Sequence, residues 1–159
     1  MYDRSKLRAE LVADECVGGI IPIDAYLDSE GFWTIGIGHL LHNVKITEPR
    51  VRRITMAEAL AWFWMDVEIA EGALDRVLPG WSNLSNTRQR ALVNMAFNRG
   101  EGRLAKSTSI VPAIKAAMLA SSAPAAWEPV RTAIKNSEWG QQLKNRSGRI
   151  ADALVTGVA

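Results

Sequence analysis

The segment Asp28 to Leu41, DSEGFWTIGIGHLL, constrains the fold of this chain more than any other. Asp-Ser-Glu-Gly supplies turn residues, and Gly31 is free to take the positive φ that closes a short loop. The spacing then predicts a strand from Phe32 to His39. On that reading Thr34, Gly36 and Gly38 share one face, and Trp33, Ile35, Ile37 and His39 share the other. Glycines at alternate positions weaken a strand as a packing element but let a ligand or another backbone approach closely. A carboxylate, a hydroxyl and an imidazole on one hairpin have the character of an active site.

The rest of the chain reads as helix. From Asp3 to Cys16 the pattern is helical, with Asp3 at the N-cap position and Leu7 and Leu11 on one face, and Gly18-Gly19 ends it. His42 to Arg53 is a connection with turn signals at Asn43 and Pro49 and room for one edge strand. Thr55-Met-Ala-Glu58 reads as a capping box that opens a long helix running to Pro79-Gly80. Asn86 to Arg99 is expected to be closed by Gly100 as a left-handed C-terminal residue. Ser109 to Leu119 follows, then Pro124 to Asn136, where Pro129 predicts a late start or a kink. Lys144 to Val155 forms a last amphipathic helix with Ile150, Leu154 and Val155 inward. One small antiparallel sheet among local helical contacts gives an α+β class, with a small N-terminal β-containing lobe and a larger helical lobe.

With 159 residues, 48% of them hydrophobic, the chain can bury about 70% of its unfolded surface without metals or bridges. A lone Cys16 forbids an intrachain disulfide and reads as a small buried hydrophobe. The charged N-terminus, MYDRSKLRAELVADE, does not suit a signal peptide, and no apolar run approaches the ~20 residues that span a bilayer. Charge is uneven: residues 1 to 85 carry 8 Lys/Arg against 13 Asp/Glu, and residues 86 to 159 carry 11 against 4. That division suits an anionic polymer held by one part and cut by carboxylates of the other, or is simply a solvated surface. The basic residues are scattered singly, which speaks against nucleic acid.

Glu15 on a first helix, Asp28 in a turn, then Thr34 and TIGIGHLL are similar in order and context to the phage lysozymes of the T-even coliphage type. ITMAEALAWFWMDV (Ile54 to Val67), RALVNMAFNRG (Arg90 to Gly100) and SEWGQQLKNRSGRI (Ser137 to Ile150) continue the resemblance in the family order. Two departures stand out: Glu15 lies further from Asp28 than in the T-even pattern, and the stretch from His39 to Ile54 is shorter. The resemblance implies a single lysozyme-like domain over 1–159. Its parts would be a first helix at 3–16, a β-containing lobe at about 18–54, a bridging helix at about 55–78 and a helical lobe at about 82–159, with an active-site cleft between the lobes.

The same resemblance implies roles. Glu15 would be the general acid, Asp28 the second carboxylate, and Thr34 the residue holding the attacking water, in an inverting hydrolysis of peptidoglycan between N-acetylmuramic acid and N-acetylglucosamine. Arg146 and Arg149 would brace the acid, unless they are merely surface arginines. Asn94 and Asn98 would line the cleft as sugar ligands, with interior hydrogen bonding the alternative for Asn94. His39 would pair with Asp66 as a structural ion pair. His39 and His42 also form H-x-x-H, but two His and one Cys are too few for a zinc site of the usual kind, so neither metal nor cofactor is expected. Core packing is the default for Trp62 and Trp64.

The implied protein is a monomer made in the host cytoplasm without a signal peptide or membrane span. It would act on periplasmic glycan strands during lysis, after a holin or equivalent membrane-permeabilising protein releases it. The rival reading is a catalytically silent peptidoglycan-binding domain, or the lysozyme module of a virion or secreted machine.

Overall fold

The computed structural model describes residues 1–158; Ala159, the last residue of the domain expected over 1–159, lies outside them. The chain divides into two compact units, Ser5–Glu68 and, together, Met1–Arg4 with the chain from Ile69 onward. The first holds the sheet and the second is helical, which is the α+β division expected from the sequence.

In the first unit α1 (Arg4–Glu15) buries Leu7 and Leu11, and a short 3-10 turn follows at Val17–Gly19. Three strands, β1 (Tyr26–Leu27), β2 (Trp33–Ile35) and β3 (His39–Leu40), pair antiparallel in chain order. The continuous strand expected from Phe32 to His39 is therefore wrong. Gly36 and Gly38 adopt φ of 62° and 69°, and the chain reverses through Gly36-Ile37-Gly38 so that Ile35 pairs with His39. Only glycine takes such φ values without steric cost, so the alternation marks a turn. Thr34 pairs with Tyr26 on one side and Leu40 on the other, and shares its face with them, not with the glycines. The edge strand allowed for between His42 and Arg53 reduces to an isolated bridge between Asp24 and Arg53. Ile35, Ile54 and Ala59 form a buried cluster, with Ile21, Leu41 and Trp62 packed around it.

The long helix α2 (Met56–Val77) opens on the expected capping box: the Thr55 N–H donates to Glu58 Oε2 at 2.7 Å, and the Glu58 N–H donates to Thr55 Oγ1 at 3.2 Å. The boundary of the two units, between Glu68 and Ile69, falls within this helix.

The helical unit contains α3 (Asn86–Ala105), α4 (Ile110–Ala120), α5 (Pro124–Asn136), α6 (Glu138–Gln142) and α7 (Lys144–Thr156). Gly100, expected to end its helix in a left-handed cap, instead makes a kink at φ 67° and ψ 162°, after which helical geometry resumes to Ala105. The late start expected at Pro129 is absent: α5 begins at Pro124 and continues through Pro129. Trp127, Val130 and Ile134 are wholly buried along α5, and that burial outweighs the hydrogen bond proline cannot make. α5 packs on α4 and α7, and α3 on α7. Arg88, 2% exposed, ties α3 to the end of α7 by donating from Nε to the Leu154 carbonyl at 2.7 Å and from Nη2 to the Val155 carbonyl at 3.0 Å. Its guanidinium lies 4.1 Å above the Trp127 ring.

Candidate active site

Glu15 is the last residue of α1, and its partly exposed carboxyl lies on the β2–β3 turn. A Cβ built on Gly38 would stand 3.1 Å from Glu15 Oε2 and 3.2 Å from its Cδ. The positive φ favours glycine there, any added side chain would press on the carboxyl, and the turn thus forms a seat for it. Next to it, the buried Cys16 points its Sγ at the Gly36 carbonyl at 4.0 Å. Burial pushes the thiol pKa up and the Glu15 charge adds to the effect, so Cys16 keeps its proton and acts as packing.

Asp28 organises the β1–β2 turn. Its Oδ1 accepts from the Glu30 N–H at 2.9 Å and the Phe32 N–H at 2.8 Å, and its own N–H donates to the Phe32 carbonyl at 2.9 Å. Gly31, at φ 81°, closes the loop by donating to the Asp28 carbonyl at 3.0 Å. Two backbone donors on one oxygen fix the carboxylate in place. Thr34 on β2 is 5% exposed, and its hydroxyl donates to the Phe32 carbonyl at 3.3 Å.

His39 Nδ1 and Asp66 Oδ2 stand 2.8 Å apart, their side chains 27% and 23% exposed, and the Trp62 ring lies tilted against the imidazole with centroids 4.8 Å apart. His42 lies apart from that pair, its Nε2 accepting from the Arg50 N–H at 3.3 Å. Glu15, Asp28, Thr34, His39 and Asp66 all belong to the Ser5–Glu68 unit. Tyr26 belongs with them and lies outside every motif of the sequence. Its signal was the turn itself, because closing the loop between Asp28 and Phe32 brings Tyr26 opposite Thr34.

The other expected site residues lie in the helical unit. Asn94 is 4% exposed, and its Oδ1 accepts from Arg146 Nε at 2.9 Å. Arg146 Nη2 also donates to the Asn94 carbonyl at 3.3 Å. Asn98 Oδ1 accepts from Trp139 Nε1 at 2.7 Å. Arg149, on the same helix as Arg146, is exposed. Among the described residues no group of three or more His, Cys, Asp or Glu stands together as a metal site, and no helix is long and apolar enough to cross a membrane.

A family model described as phage lysozyme matches residues 20–147, a span that includes Asp28, Thr34 and His39 but begins after Glu15. The pre-baseplate central spike protein Gp5 of Enterobacteria phage T4 is 34% identical over 155 residues, covering 85% of this chain and 26% of that protein. This chain thus spans about a quarter of that relative's length. Probable T4-type lysozymes 1 and 2 of Dictyostelium discoideum are 28% and 26% identical, each match covering 85% of this chain and 87% of the relative.

Proposed function

The chain belongs to the phage lysozyme family, and from that premise we propose that it is a muramidase hydrolysing the β-1,4 bond between N-acetylmuramic acid and N-acetylglucosamine in peptidoglycan. The observation that carries this reading is the Glu15 carboxyl seated on the Gly38 turn, in the same unit as Asp28 and Thr34. Glu15 donates its proton to the leaving glycosidic oxygen. Asp28, held by the Glu30 and Phe32 N–H groups, receives a proton from water held at Thr34. Inversion follows if the two carboxyl groups stand about 6.5–9.5 Å apart, which leaves room for that water. In the helical unit, Arg146 and Arg149 supply positive charge and Asn98 is the sugar ligand. Asn94, buried with its oxygen on Arg146, serves that arginine in place of a sugar. The chemistry needs only side-chain proton transfer and water.

In the lysis role the protein waits in the host cytoplasm until a membrane-permeabilising partner gives it access to the wall. The relative named as a spike protein supports a second placement, as a lysozyme module of a virion structure. A clearing assay on outer-membrane-stripped cells, with chemical analysis of the cleaved ends, tests the activity. Glu15→Gln keeps the shape of the acid and removes its proton, so turnover is expected to fall by about 10²–10⁴ with thermal stability retained. A variant that keeps more than about a tenth of wild-type turnover removes Glu15 from the role.

A further inference from the structure

Tyr26 and Thr34 are direct partners across the β1–β2 ladder, with Leu40 completing the row. Paired residues of antiparallel strands share a face, with Cβ atoms about 4.5–5.5 Å apart. The longer tyrosine therefore rises beside the threonine and reaches further from the sheet. The phenol is partly buried, and its hydroxyl makes no hydrogen bond to another described residue. Burial raises its pKa above the ordinary value, and the nearby Cys16, Glu15 and Asp28 act in the same direction. Tyr26 thus lies within electrostatic reach of both carboxylates and keeps its proton wherever carboxyl chemistry runs.

The hydrogen-bond inventory at Thr34 sets what a neighbour must supply. The Thr34 O–H is spent on the Phe32 carbonyl, so Oγ1 meets a water as an acceptor. Such a water gives one hydrogen to Thr34 and the other to Asp28, which leaves two lone pairs. One attacks the anomeric carbon. The other is open to a hydrogen bond, and a neutral, fixed donor there would orient the water without competing for its proton.

Resting on the muramidase reading, we propose that Tyr26 is a positioning residue of the hydrolytic site, its phenol O–H orienting the water held at Thr34. In the step so positioned, the water oxygen bonds to the anomeric carbon and the glycosidic C–O bond breaks. The leaving oxygen takes the proton of Glu15, and Asp28 takes a proton of the water. Tyr26 changes no bond.

The test uses the full chain and purified peptidoglycan. Tyr26→Phe keeps the ring and removes the donor. It is expected to lower kcat by about tenfold or more, with KM, melting temperature and both limbs of the pH profile unchanged. Combined with Thr34→Ala, it should cost little beyond Thr34→Ala alone, because both act on one water. Wild-type kcat in Tyr26→Phe, losses that multiply in the double variant, or a kcat loss that tracks a fall in melting temperature would each overturn the proposal and leave the ring as packing. A wild-type protein that fails to cleave the glycan, or a fully active Glu15→Gln, brings down the muramidase reading and this inference with it. An active wild type with an inactive Glu15→Gln and an unimpaired Tyr26→Phe removes Tyr26 alone.

Discussion

Gly36 and Gly38 separate two costs that usually arrive together. Both hold positive φ, so alanine at either site strains the backbone by about 1–3 kcal/mol. Their surroundings differ. A Cβ on Gly36 meets the Ala59 side chain at 3.4 Å, whereas one on Gly38 meets the Glu15 carboxyl at 3.1 Å. Gly36→Ala and Gly38→Ala are therefore expected to lose similar stability in denaturant unfolding, but only Gly38→Ala should lose turnover beyond what its unfolded fraction explains. Displacing a reacting group by about 1 Å can cost on the order of 10² in rate. Equal activity losses at equal stability would mean that the turn does not seat the acid.

At the scale of elements, the capping box shows which parts of the fold were legible. Thr55 and Glu58 are neighbours in sequence, and their reciprocal bonds need no distant partner. Glu58 is held below the usual carboxylate range first by the Thr55 backbone N–H and then by its hydroxyl. A depressed folded pKa contributes stability that is present above the unfolded value, near 4.3, and is lost as pH falls through the folded one. Thr55→Ala keeps the backbone donor and removes the hydroxyl. The Glu58 titration followed by carboxyl NMR should therefore move only part of the way back, and an unmoved midpoint would mean that the hydroxyl bond is not formed in solution. The β2–β3 turn is hidden in the sequence because Gly-Ile-Gly satisfies the period of a strand, while its reversal depends on Ile35 finding His39. The early start of α5, ahead of Pro129, follows from the burial of Trp127, Val130 and Ile134, which local propensity does not weigh. The short helix α6 gave no periodic signal, although Gly140 is essential to it: a Cβ there would stand 1.9 Å from the Ile134 carbonyl oxygen. Of the site, Asp28 and Thr34 were visible as turn and strand residues, whereas Tyr26 emerges only from the register between them.

At the scale of the molecule, charge divides along the same boundary as the fold. The Ser5–Glu68 unit carries 6 Lys/Arg against 10 Asp/Glu, a net −4, and the remainder of the chain carries 13 against 7, a net +6. On the proposed function, a glycan bearing peptide carboxylates should be attracted by the helical unit and repelled by the other, so that binding is electrostatic while bond cleavage is local. The screening length falls from about 10 Å at 0.1 M salt to about 3 Å at 1 M, short enough to silence a diffuse attraction but not a proton transfer between groups in contact. Raising ionic strength should therefore raise KM on soluble peptidoglycan fragments and leave kcat nearly constant. Lys135 and Lys144 are exposed on the helical unit. Lys135→Glu combined with Lys144→Glu should raise KM at low salt and flatten its salt dependence, with a stability change of no more than about 1 kcal/mol from the reversed charge at the end of α5. A KM indifferent to salt, or a reversed-charge variant with the wild-type salt slope, would mean that the asymmetry is only a solvated surface. Substrate capture would then rest on hydrogen bonds to the sugars.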